Sequence, residues 1–142
     1  MICRTTSPEE TLALGRRIAG KLTPGAVIAL KGGLGAGKTC LAAGIAQGLG
    51  ISETITSPTY TIVNEYTGRL PFCHIDAYRL AGDDDFNNSG VSELLYGNGI
   101  AVIEWSERIP RSIPANAITM LIEITGPTDR AIHISGMEFA DE

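Results

Sequence analysis

The stretch Gly32-Gly33-Leu34-Gly35-Ala36-Gly37-Lys38-Thr39 has the residue types and spacing of a phosphate-binding loop: glycine, four residues, then Gly-Lys-Ser/Thr. Glycines let the backbone wrap a phosphate closely and turn successive N–H groups toward it. The helix expected next would present its N-terminus, worth roughly half a positive charge, to the same anion. Lys38 adds a full charge for the outer phosphates, and the Thr39 hydroxyl suits Mg²⁺. The candidate nucleotide-binding set is therefore Gly33, Leu34, Gly35, Ala36, Gly37, Lys38, Thr39 and Cys40. Cys40 stands where a helix N-terminus can favour a thiolate. A free cysteine is more often a packed hydrophobe, and that reading is preferred.

Binding phosphate is not yet chemistry, which also needs a metal clamp and a positioned water. In open α/β sheets ligands lie at the carboxyl ends of strands. Two acids end apolar runs in that way: Asp76 after Phe72-Cys73-His74-Ile75, and Glu104 after Ala101-Val102-Ile103. Both are candidate catalytic residues, and Glu104 joins Thr39 as a candidate metal ligand. His74, inside an apolar run with no Cys/His cluster around it, reads as a core histidine rather than a ligand. Trp105 reads as a packing residue at a strand end. Arg79 suits either a phosphate or an acid partner.

The surrounding elements must position these groups. Ser7-Pro8-Glu9-Glu10 is a helix start with a capping box, and Leu14, Ile18 and Leu22 repeat at helical spacing. Val27 to Leu30 is a strand running into the loop, and Cys40 to Leu49 is the helix leaving it. Thr61 to Tyr66 and Phe72 to Ile75 form a hairpin about Thr67-Gly68-Arg69. Ala81 to Ser89, with its run of Asp and Asn, reads as a polar loop or a poorly formed helix start. Val91 to Tyr96 is a short helix and Ile100 to Ile103 a buried strand. Ala117 to Ile124 and Ala131 to Ser135 make a last hairpin. Residues 1–142 are expected to form a single domain.

Composition narrows the function. With 16 acidic against 11 basic residues the net charge is −5. Only three lysines occur, Lys21, Lys31 and Lys38, and no basic run exists to track a nucleic acid. Three widely spaced cysteines, Cys3, Cys40 and Cys73, argue against a disulfide framework or a zinc site. No apolar run approaches ~18 residues, and the N-terminus lacks a signal-peptide pattern, so a cytoplasmic location is expected. No Asn-Lys-x-Asp pattern marks a guanine reader, and no Arg-rich lid marks a nucleotide kinase. An ATP-binding or ATP-hydrolysing protein stands ahead of these.

Four motifs occur together: Gly32 to Thr39, Ser57-Pro58-Thr59-Tyr60, His74-Ile75-Asp76-Ala77-Tyr78-Arg79, and Ile103-Glu104-Trp105. In this order and spacing the set resembles the TsaE (YjeE) family of small bacterial P-loop ATPases, from the first helix to about Glu107. The resemblance implies an α/β, P-loop NTPase-like three-layer fold, its central parallel strands flanked by antiparallel strands or hairpins. It implies ATP and Mg²⁺ as cofactors and an ATPase activated by partner proteins. The implied role is threonylcarbamoyladenosine synthesis on tRNA with the TsaB and TsaD proteins, tRNA being met only through that complex and no membrane being involved. Under the resemblance, Lys38 holds phosphate, Thr39 and Glu104 hold Mg²⁺, and Asp76 acts in hydrolysis. Ser57 to Tyr60 looks like a switch, and Arg130 approaches the nucleotide. Two departures stand out. Gly33 replaces the family's usual acid, and Asn87, Asn88 and Ser89 replace acidic and apolar anchors, which predicts a poorly anchored following helix. The rivals are a small-molecule kinase with a hydroxyl acceptor and a nucleotide-dependent binding module without turnover.

Overall fold

The computed structural model describes residues 1–56 and 62–138. The chain begins with a strand, β1 (Ile2–Thr5), in which Cys3 and Thr5 face inward and Ile2 and Arg4 outward. Four alternating residues are too short a signal to announce a strand by themselves; pairing with a distant partner makes it one. Helix α1 (Pro8–Ala19) follows, capped by the Ser7 hydroxyl, which accepts the Glu10 N–H at 3.1 Å. The return half of the expected capping box is shifted by one residue. Glu10 accepts from the N–H of Thr6 (2.7 Å) and its hydroxyl (3.0 Å) rather than from Ser7. Leu14 and Ile18 are buried as the helical period requires, and Leu22 is buried just beyond the helix.

Strand β2 (Val27–Gly32) runs into the glycine loop and helix α2 (Lys38–Gly48) leaves it. The expected hairpin appears as β3 (Val63–Thr67) and β4 (Pro71–Asp76). Helix α3 (Asp83–Asn88) and a 3-10 segment (Val91–Tyr96) lead to β5 (Ile100–Glu104). A 3-10 turn (Ser106–Arg108) and a loop then lead to the last hairpin, β6 (Ile118–Ile124) and β7 (Arg130–Ser135). One seven-stranded sheet results, in the order β1-β7-β6-β2-β5-β4-β3. Strands β6, β2, β5 and β4 are parallel to their neighbours in that run. The flanking pairs β1–β7, β7–β6 and β3–β4 are antiparallel. Parallel in the middle and antiparallel at both edges is the expected architecture.

Strand alternation splits the core into two layers of contacts. Leu30, Val102, Met120, Ile122 and Ile132 pack under α1 and α2 through Leu14, Ile18, Leu41 and Ile45. On the other face Ile75, Ala101 and Ile103 pack with Phe86, Leu95 and Ile109. Phe86 is fully buried, so α3 is a real, anchored helix, not the polar loop or weak start that its Asp and Asn content predicts. One phenylalanine burying its ring outweighs poor local propensity. Asp83 adds a latch, accepting from the Ser112 N–H (2.8 Å) and hydroxyl (2.7 Å).

Helix α2 is held against α1 by close backbone approach. A side chain at Gly44 would place its Cβ 2.4 Å from the Leu12 carbonyl oxygen, and one at Gly15 would lie 2.7 Å from that of Leu41. Gly44→Val should therefore prise the helices apart and cost about 1–3 kcal/mol, the usual range for overpacking. Urea unfolding would report it as a lower midpoint; an unchanged midpoint would mean that this crossing tolerates a wider separation.

Candidate active site

The glycine loop lies at the carboxyl end of β2, between that strand and α2. Gly35 (φ 78°) and Gly37 (φ 106°) adopt left-handed backbone that a side chain would strain. Gly37 is the N-cap of α2 and provides no side-chain cap, so the helix N-terminus is left open to an outside anion. Within the loop the Ala36 N–H bonds Gly33 O at 3.2 Å. The N–H groups of Leu34, Gly35 and Gly37 take no protein acceptor among the described residues. Cys40 donates its thiol to Pro8 O at 3.4 Å, and burial, then Glu9, push its pKa up. It is thus a thiol beside the loop, only partly buried.

Lys38 is buried, and its ammonium turns back on the loop's own carbonyls, bonding Gly32 O and, at 3.3 Å, Gly33 O. The Trp105 ring closes over it with its centroid 3.6 Å from Nζ. Burial lowers the Lys38 pKa, an effect opposed by Glu104, Glu107 and Asp76 nearby. A cation desolvated in this way, held by carbonyl oxygens and a ring face, is prepared for a phosphate oxygen.

Asp76 and Glu104 end neighbouring parallel strands and stand opposite each other in the β4–β5 register. Glu104 is buried, and both its oxygens lie near the Thr39 hydroxyl, at 3.2 and 3.0 Å. Asp76 uses Oδ1 to accept the Tyr78 N–H at 2.9 Å, an Asx turn that aims the carboxylate. After Glu104 the chain turns abruptly through Trp105, a non-glycine residue in left-handed conformation (φ 59°, ψ 39°). That turn swings the indole over Lys38 and against Tyr78, ring centroids 4.9 Å apart. Ser106 fastens it by donating to Leu30 O at 3.2 Å, and Ala77 N–H bonds Glu104 O at 3.0 Å.

Residues Gly33 to Cys40, Asp76 and Glu104 line one hollow of about 380 Å³, together with Tyr78 and Trp105. Arg130 stands apart from it. Its guanidinium bonds Ala36 O (2.9 Å), Gly35 O (3.2 Å), Gly126 O (3.1 Å) and Asp129 O (2.8 Å), bracing the loop from behind. It lines a second hollow of about 170 Å³ that shares Gly35, Ala36, Gly37 and Cys40 with the first. Arg79 is exposed and outside the lining of the first hollow. Ser57-Pro58-Thr59-Tyr60 lies outside the described residues. His74 is fully buried, as a core histidine should be, but its Nε2 bonds Glu104 Oε2, a contact not foreseen. Strand parity carried the signal: residues two apart share a face, so His74 lies on the same side as Asp76.

The loop, the two strand-end acids and the mixed sheet define a P-loop NTPase-like α/β protein. The sequence model of the family described as "Threonylcarbamoyl adenosine biosynthesis protein TsaE" matches residues 5–132. The chain belongs to the TsaE family, whose role lies in threonylcarbamoyladenosine biosynthesis. It is 42% identical to the tRNA threonylcarbamoyladenosine biosynthesis protein TsaE of Treponema pallidum over 95% of this chain and 100% of that one. Identity to the Bacillus subtilis protein of that name is 40%, over 91% and 81% of the two chains. The crystal structure of Bacillus subtilis YdiB matches with a TM-score of 0.76 and 36% identity, covering 93% of this chain and 82% of that one. Among the described residues no helix is long and apolar enough to cross a membrane.

Proposed function

We propose that the chain binds Mg·ATP in the hollow before α2 and hydrolyses it slowly, in support of tRNA threonylcarbamoyladenosine modification with TsaB and TsaD in the cytoplasm. One observation carries this reading: Lys38, Thr39, Glu104 and Asp76 converge on a single hollow floored by open loop N–H groups. The donor set fits the ligand. Loop amides, the α2 N-terminus and Lys38 suit phosphate oxygens, while Thr39 and Glu104 suit a hard cation. Among the described residues no group of three or more His, Cys, Asp or Glu could hold a metal unaided. That matches Mg²⁺, which takes one or two protein oxygens and completes its shell with phosphate and water.

When bound, Mg²⁺ would neutralise charge on the outer phosphates. Asp76 would orient the attacking water and accept its proton, since Oδ1 is engaged with Tyr78 and the carboxylate faces the hollow. Stabilising charge from an arginine is worth about 10³–10⁵ in rate to such enzymes. Here Arg79 is outside the lining and Arg130 is engaged with carbonyls, which favours slow turnover until a partner docks. The test is steady-state phosphate release at fixed Mg·ATP by the pure chain and by the chain with TsaB–TsaD. A rise on adding the partners is expected. Equal turnover in both would end the activation reading, and ADP release dependent on an added hydroxyl acceptor would favour a kinase.

A further inference from the structure

Glu104 is held from two sides, and the side away from the ligand hollow belongs to His74. His74 lies in β4 opposite Val102 of β5, two residues before Asp76 and therefore on the same sheet face. It is fully buried, and its Nε2 bonds Glu104 Oε2. Glu104 is buried as well and bonds the Thr39 hydroxyl at 3.0 and 3.2 Å. The other ring nitrogen, Nδ1, is buried and has no hydrogen-bond partner among the described residues.

That orphan matters. A buried ring nitrogen without a partner costs stability. Leucine or phenylalanine would fill this place between Cys73 and Ile75 without that cost, so the packing alone does not call for an imidazole. What an apolar residue cannot do is donate to Glu104. A carboxylate only accepts, so the proton of this contact sits on Nε2. With Oε2 tied to His74 in this way, the carboxylate of Glu104, which lines the hollow, is held from turning. The Thr39 hydroxyl can donate its proton to Glu104 and still turn an oxygen lone pair outward.

We propose that His74 is a positioning residue for the cation clamp, fixing Oε2 of Glu104 so that Oε1 and the Thr39 oxygen face a divalent ion in a set geometry. This rests on the reading of Thr39 and Glu104 as the Mg²⁺ clamp. Partners that orient a metal-binding carboxylate are typically worth about 10–100-fold in metal affinity or activity.

The measurement is ADP affinity by calorimetry, with Mg²⁺ and with EDTA, in the wild type, His74→Leu, His74→Gln and Glu104→Gln. Thermal melts establish that each variant is folded. The expected result is that His74→Leu loses about 10–100-fold of the Mg²⁺ enhancement while its affinity in EDTA stays within about twofold of wild type. His74→Gln, which keeps an N–H at the end of its side chain, should recover most of the loss. A folded His74→Leu with the wild-type Mg²⁺ enhancement would overturn the proposal. If Glu104→Gln also keeps that enhancement, the clamp reading itself fails; if Glu104→Gln loses it, only the role of His74 fails. A second measurement needs no variant at this position. Nitrogen-15 spectra of the wild-type rings, with His133→Gln to assign the chain's two histidines, should show His74 protonated on Nε2. That signal should shift on adding Mg²⁺ to the ADP complex. A proton on Nδ1 with bare Nε2, or a signal indifferent to Mg²⁺, would refute the role.

Discussion

Lys38→Met should lower ATP affinity by roughly 1.5–3 kcal/mol, the range for hydrogen bonds to charged groups, or about 10- to 150-fold. The phosphate loses the one charge that the loop delivers at short range, while the loop amides and helix terminus remain. Calorimetry in Mg²⁺ reads the loss, and unchanged affinity would refute phosphate binding at this loop. The same substitution carries a signature in pH. Burial lowers the Lys38 pKa below the ordinary lysine value of 10.5. Between that lowered value and 10.5 the unfolded chain binds more protons than the folded one, so stability gains from Lys38 as pH rises through that window. Below the window the desolvation cost of the ammonium is fully present. Urea unfolding of wild type against Lys38→Met across alkaline pH should show the gain only in the wild type. Parallel curves would mean that the ammonium is no worse off folded than in water.

Asp76→Asn should leave Mg·ATP bound and lower its turnover by a factor on the order of 10²–10⁴, the usual contribution of a positioned general base. The amide keeps the shape and the oxygen that accepts the Tyr78 N–H, so the Asx turn and the end of β4 should survive. What disappears is the capacity to take a proton from water. Single-turnover phosphate release in the presence of TsaB–TsaD isolates this step from docking and product release. A loss of affinity equal to the loss in rate would make Asp76 a binding group. Turnover at the wild-type level would remove it from the chemistry.

The residues that touch phosphate and metal in this reading were legible in the chain because local rules govern them. A glycine loop between a strand and a helix builds its cradle from its own backbone, so Gly32 to Thr39 and the start of α2 follow from neighbouring residues. Asp76 and Glu104 were legible for a related reason: each ends an apolar run, and strand ends carry ligands in such sheets. Both hairpins followed from their turns.

Contacts between distant segments decided the rest. Strand β1 exists through its ladder to β7, more than a hundred residues away, and α3 exists through the buried ring of Phe86. The glycines of α1 and α2 are explained only by the fold, which brings the two helix backbones into contact at Gly15 and Gly44. The sequence does not show that the Arg130 guanidinium bonds the loop carbonyls of Gly35 and Ala36; only the fold brings them together. His74 and Glu104 are thirty residues apart; strand parity puts His74 on the face of Asp76, but only the fold brings it to Glu104. Their meeting depends on the parallel pairing of β4 with β5, a register set by burial on both faces of the sheet. Local sequence thus determined which chemical groups this protein holds and at which strand and helix ends. The tertiary structure alone decided how those groups are oriented, because orientation comes from partners that only the folded chain brings within reach.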